Sequence, residues 1–156
     1  MNDLLKDFLT SLHMSQDEIA ENLENNAFQI QLDNGCCIAL EIDVKTGDII
    51  FSSELAVIKE PYITRIALLL LQANLFWVGT NGGTLGFDKG TSTASLLDRV
   101  PANVDLQTFE ARLTTFLETV TSWSTALEQL QQDEFSASGV NTTNLDLIPT
   151  TLRNLI

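Results

Sequence analysis

Leu4, Leu5, Phe8, Leu9 and Leu12 recur at helical spacing near the start of the chain, with Asn2, Asp3, Lys6, Asp7 and Thr10 on the other side. This pattern predicts an amphipathic helix. Ser15 and Glu18 then have the spacing of a capping box, and Met14 and Ile19 are placed for a hydrophobic staple, so a second short helical turn is expected before Asn25. From Ala27 the period changes to two. Phe28, Ile30 and Leu32 alternate with Gln29 and Gln31, and Asp33-Asn34-Gly35 supplies a turn between antiparallel strands. The next strand sets Ile38, Leu40, Ile42 and Val44 on one face. Lys45-Thr46-Gly47-Asp48 turns it into a third strand, Ile49 to Val57.

Pro61 suits a first helical position, because its missing N–H has no partner there in any case. The apolar block that follows, Ile66 to Val78, is expected to run as one helix until Gly79 stops it. Leu85 and Phe87 alternate before Asp88-Lys89-Gly90, and Thr93 to Leu97 can return as a hairpin partner. The last helix has the clearest start, with Asp105 as cap and Val104 and Phe109 as staple. Leu113, Phe116, Leu117, Val120, Trp123, Leu127 and Leu130 follow on one stripe toward an end near Gln132. The order α-β-β-β-α-β-β-α predicts an α+β fold on a twisted antiparallel sheet. Residues 1–132 form the expected domain, and the linker-like composition of 133–156 predicts a flexible C-terminal tail.

Length and charge narrow the function. A chain of 156 residues suits one core. Eight Lys and Arg against 21 Asp and Glu give a net charge of -13, which repels nucleic-acid backbones and anionic lipid. The central block is shorter than the roughly 20 apolar residues of a membrane span and contains Gln72 and Asn74, so no membrane insertion is expected. A soluble helix apolar on most of its circumference is the better reading, with a second subunit to cover it. The amino terminus has acids among its leucines and no signal-peptide pattern, which predicts a cytoplasmic protein.

Candidate chemistry is sparse, and no cofactor or enzymatic activity is expected. His13, the one histidine, has no nucleophile or carboxylate constellation near it in sequence and reads as a surface or capping residue. The adjacent Cys36 and Cys37 read as packing residues, and with one histidine they do not make a zinc site. GTNGGTLGFDKGTS lacks the Gly-Lys-Ser/Thr ending and the following helix of a phosphate loop, so it reads as a turn. The Asn141-Thr142-Thr143 sequon is empty in a cytoplasmic chain. Trp77 and Trp123 read as core or interface residues. An over-hydrophobic central helix, strands able to offer edges and a high negative charge together describe a dimeric binding protein.

The run LLLQANLFWVGTNGGTLGFDKGTSTASLLDRV, followed by VDLQTFEARLTTFLETVTSWSTAL, resembles the class I chaperones of bacterial type III secretion, the Tir chaperone family. The matching positions are Leu70, Ala73, Asn74 and Leu75, then Gly82 and Gly83, Leu85-Gly86-Phe87-Asp88 and Leu96. They continue through Asp105, Leu106, Phe109, Leu113, Phe116 and Trp123. The resemblance implies a homodimer meeting through the central helix, with Ile66, Leu69, Leu70, Ala73, Phe76 and Trp77 in the interface. It also implies a client, a secreted effector whose amino-terminal segment is held extended and ready for export, with the secretion ATPase a further candidate partner. Leu5, Phe8, Leu12, Phe28, Ile30 and Ile38 are the candidate groove residues for that segment. A non-secretory regulator or adaptor with the same fold is the alternative, since it needs the same helix and sheet.

Overall fold

The computed structural model describes residues 3–31 and 35–132. The expected tail, Leu32 and the Asp33-Asn34 turn lie outside them. The elements are α1 (Asp3–Ser11), α2 (Gln16–Asn25), β1 (Ala27–Gln31), β2 (Cys37–Ile42), β3 (Ile49–Val57), α3 (Ile63–Ala73), β4 (Thr84–Asp88), β5 (Thr93–Val100) and α4 (Leu106–Gln132). The strands make one five-stranded sheet in the order β1-β2-β3-β5-β4, with every neighbour antiparallel. The α+β architecture is therefore the one the period changes predict.

Local chemistry explains most boundaries. The Glu18 N–H donates to Ser15 Oγ at 3.3 Å and the Ser15 N–H donates to a Glu18 carboxylate oxygen at 2.9 Å, so the capping box at α2 is complete. That hydroxyl and N–H of Ser15 hold the Glu18 carboxyl below its ordinary range. Asn26 ends α2 in the left-handed conformation, and exposed His13 does the same after α1. At α4 the Thr108 N–H donates to Asp105 Oδ1 at 2.7 Å, which occupies one donor of the first helical turn.

One face of the sheet carries the core. Ile38 and Leu40 of β2, Ile49, Phe51 and Leu55 of β3, and Ala94, Leu96 and Val100 of β5 are buried against α1 and α4. Leu4, Leu5, Phe8 and Leu9 of α1 and Phe109, Leu113, Phe116, Val120 and Trp123 of α4 meet them. At the centre the Phe8 and Phe109 rings stand edge to face at 5.0 Å between centroids, and Phe51 meets Phe109 at 5.4 Å.

The central helix corrects the sequence reading. It ends at Ala73 rather than continuing to Gly79, and the chain turns back through the 3-10 turns of Leu75–Thr80. Phe76 and Trp77 take left-handed backbone angles, φ 58° and 56°, each at a cost of about 1–2 kcal/mol for a residue with a side chain. Contacts distant in sequence hold them there. The Trp123 indole N–H donates to the Gly79 carbonyl at 2.9 Å, and Asn81 Nδ2 donates to Thr119 Oγ1 at 2.9 Å. Arg112 donates to the Asn81 carbonyl at 3.0 Å while its guanidinium grips Asp98 at 2.7 Å. Glycine suits this return at position 79, since a Cβ there would lie 3.0 Å from the Ala73 Cβ and 3.1 Å from its backbone, a tight contact that would make the turn shift.

Candidate functional site

The outer side of α3 and the turns after it make an apolar ridge. Leu68 and Leu71 of α3, then Leu75, Phe76, Trp77 and Val78, are each between 53% and 79% exposed. Leu68, Leu71 and Leu75 share one helical face at spacings of three and four, opposite the buried stripe of Ile66, Leu70 and Ala73. The left-handed pair then directs two aromatic rings into solvent from a turn whose flanks are tied to α4 and β4. A surface of this kind is costly in water and is the candidate docking surface of the chain.

The second feature is the state of the two sheet edges. The Ile42 N–H donates to the Asn26 carbonyl at 2.9 Å, and the ladder places Phe28 opposite Leu40 and Ile30 opposite Ile38. By the alternation of antiparallel pairs, Phe28 and Ile30 bond inward to β2, and Ala27, Gln29 and Gln31 direct their N–H and C=O outward. Among the described residues none of these outward groups has a hydrogen-bond partner, and all three side chains are exposed. This edge can accept an extended peptide by backbone pairing. Phe28 and Ile30 are half-buried beside it, packed on the core, and would form the apolar floor for alternate side chains of such a peptide.

The residues expected at a subunit interface divide into two groups. Ile66, Leu70 and Ala73 are buried in this chain's own core and face inward; Leu69 is half-buried, and Phe76 and Trp77 stand in solvent. The candidate groove residues divide similarly. Leu5, Phe8 and Ile38 are core residues, Phe28 and Ile30 lie along the β1 edge, and Leu12 is exposed just past α1. Leu68, Leu71, Leu75 and Val78 were not expected in the ridge. The signal that could have found them is polar: Arg65 and Gln72, seven residues apart, lie on the same exposed side of α3 as Leu68 and Leu71.

Cys36 is half-buried and packs on the core, and Cys37 is exposed at the start of β2. Among the described residues, no three His, Cys, Asp or Glu side chains come together to hold a metal ion, and no helix is long and apolar enough to cross a membrane. The glycine-rich turn is occupied internally: Asn81 and Gly82 take positive φ, and Gly82 lies against the Arg112 guanidinium.

Comparisons with known proteins agree with this architecture. No curated protein matches the chain in sequence. In fold it is similar to a chain of the ExsC–ExsE complex (TM-score 0.59, 20% identity, 81% of this chain and 92% of that one). It is likewise similar to a chain of the HopA1–SchA chaperone–effector complex (TM-score 0.57, 20% identity, 78% and 91%). A third similar fold occurs in the heterodimeric ExoU–SpcU complex from the type III secretion system of Pseudomonas aeruginosa (TM-score 0.52, 20% identity, 67% and 82%). The model of the Tir chaperone protein (CesT) family matches residues 3–124, so the chain belongs to the Tir chaperone family.

Proposed function

We propose that this protein is a cytoplasmic type III secretion chaperone that works as a homodimer and holds the amino-terminal segment of a secreted effector in extended form. The observation that carries this reading is the family match across residues 3–124. The two surfaces supply its physics. The ridge from Leu68 to Val78 buries itself against the same ridge of a second copy, since a two-fold contact uses one self-complementary patch twice. The open β1 edge pairs with the effector backbone, and the half-buried Phe28 and Ile30 accept its apolar side chains. Each such anchor contributes on the order of 1.5–3 kcal/mol before ordering costs. Pairing with the edge requires an extended backbone, so the bound segment of the client is kept out of its own folded structure. The tail after Gln132 and the secretion ATPase are candidates for the later delivery step.

Native mass spectrometry on protein isolated gently from its own bacterium tests this. The expected mass is two chains plus one co-purifying protein. Gln29→Pro removes an outward N–H without cutting the ladder to β2, so the variant dimer should lose that protein. A lone wild-type monomer would refute the dimer, and retention of the client by Gln29→Pro would refute the β1 edge as its site. A wild-type dimer with no client would leave the chaperone and adaptor readings equally open.

A further inference from the structure

The two edges of the sheet are not equivalent, and the difference lies in the polar side chains between α3 and β4. In the β4–β5 ladder Leu85 faces Leu96 and Phe87 faces Ala94. The Leu85 N–H donates to Asn74 Oδ1 at 2.8 Å and Asn74 Nδ2 donates to the Leu85 carbonyl at 2.9 Å, so Leu85 directs its backbone away from β5. The outward positions of this edge are then Gly83, Leu85 and Phe87. Gly83 is also occupied: its N–H donates to the Thr80 carbonyl at 3.0 Å and its carbonyl accepts from Thr80 Oγ1 at 2.6 Å. One outward position, Phe87, is left, and a strand cannot be added on the groups of one residue.

We propose that Asn74, assisted by Thr80, is an edge lock that closes β4 to strand addition and confines incoming backbone to β1. The Asn74 carboxamide carries one donor and one acceptor in a plane, the same pair that a neighbouring strand would present to Leu85. It therefore imitates a strand one residue long and ends the sheet there. The lock sits at the junction where α3 turns into the apolar ridge, so the surface richest in exposed apolar side chains adjoins an edge that is shut. An open edge beside such a ridge would template association of further chains. The consequence for client entry rests on the chaperone reading above, but the lock itself does not.

The test uses the full-length protein without any client. Asn74→Ala removes both bonds to Leu85, and loss of the one from its N–H, roughly 1 kcal/mol, should accelerate exchange of that amide about five- to tenfold, read residue by residue by NMR. In sedimentation velocity the variant should form species larger than the wild-type assembly. Asn74→Ala/Phe87→Pro should return to the wild-type size, because proline at an outward position bars edge pairing without cutting the ladder to β5. A merely structural role for Asn74 predicts no rescue by a second, mildly destabilising change. If Asn74→Ala does not fold, Asn74→Leu carries the same test, since it keeps a side chain of similar size and removes both the acceptor for the Leu85 N–H and the donor to its carbonyl. Unchanged size despite faster Leu85 exchange would overturn the proposal, as would larger species that Phe87→Pro leaves in place. Because no client is present, failure of the chaperone reading would leave each of these outcomes unchanged.

Discussion

Replacing Phe76 separates the two roles that the ridge combines. The side chain is 79% exposed, so the isolated subunit derives little stability from it. A Phe side chain offers roughly 200 Å² of surface, and burial of half of what Phe76 exposes removes about 80 Å² from water. At about 25 cal/mol per Å² this contributes about 2 kcal/mol per subunit. Two-fold symmetry counts the residue twice, so Phe76→Ala should weaken the dimer by about 4 kcal/mol, close to a thousandfold in Kd. Sedimentation equilibrium over a concentration series reads this directly. Phe76→Gly adds a control on the subunit. Relief of left-handed strain, about 1–2 kcal/mol, is offset by about 1 kcal/mol from the greater freedom of glycine in the unfolded chain. Its dimer should be as weak as that of Phe76→Ala while the subunit's denaturation midpoint stays level or rises. A dimer constant within threefold of wild type in both variants would show that Phe76 is not buried by a partner and would refute the ridge as the interface.

Two neighbouring leucines should respond in opposite ways to the same charge. Leu70→Asp places a carboxylate in the core and should unfold the subunit, at a cost of roughly 4 kcal/mol or more, whereas exposed Leu71→Asp should leave a folded monomer; circular dichroism and sedimentation distinguish them. Trp123→Phe leaves the Gly79 carbonyl without its donor in a buried site and should cost about 1–3 kcal/mol in urea denaturation, with the wild-type helix content retained. The Asp105 carboxyl is held below its ordinary range by the side chain and backbone N–H of Thr108, as a helix cap should be. With its pKa lower folded than unfolded, its contribution is complete above the unfolded value near 4 and is lost as pH falls through the folded one. Asp105→Asn keeps an acceptor but does not titrate, so its urea midpoint should fall less than the wild-type midpoint between pH 5 and pH 3.

The sequence by itself determined the elements whose signals are local. The Lys45-Thr46-Gly47-Asp48 turn was enough to start a third strand at Ile49, and β3 occupies the expected span to Val57. Asp105, with its staple of Val104 and Phe109, fixed the start of α4 because a cap is made within four residues. The capping box of Ser15 and Glu18 was equally readable, as was the change of period that specifies an α+β chain.

The tertiary structure alone decided the stop of α3 and the site built on it. Nothing between Ile66 and Val78 breaks a helix by propensity. It ends because Asn74 pairs with Leu85, 11 residues onward, and Trp123 reaches Gly79 across 44 residues. The ridge was only half hidden: Arg65 and Gln72, seven residues apart, mark the outward side of α3, but the leucines between them read as core until the packing of Ile66, Leu70 and Ala73 is seen. Edge accessibility is hidden for a related reason. Whether a strand is open or closed depends on which backbone groups remain unpaired after the whole sheet has assembled, and β1 and β4 differ there through side chains that belong to neither strand.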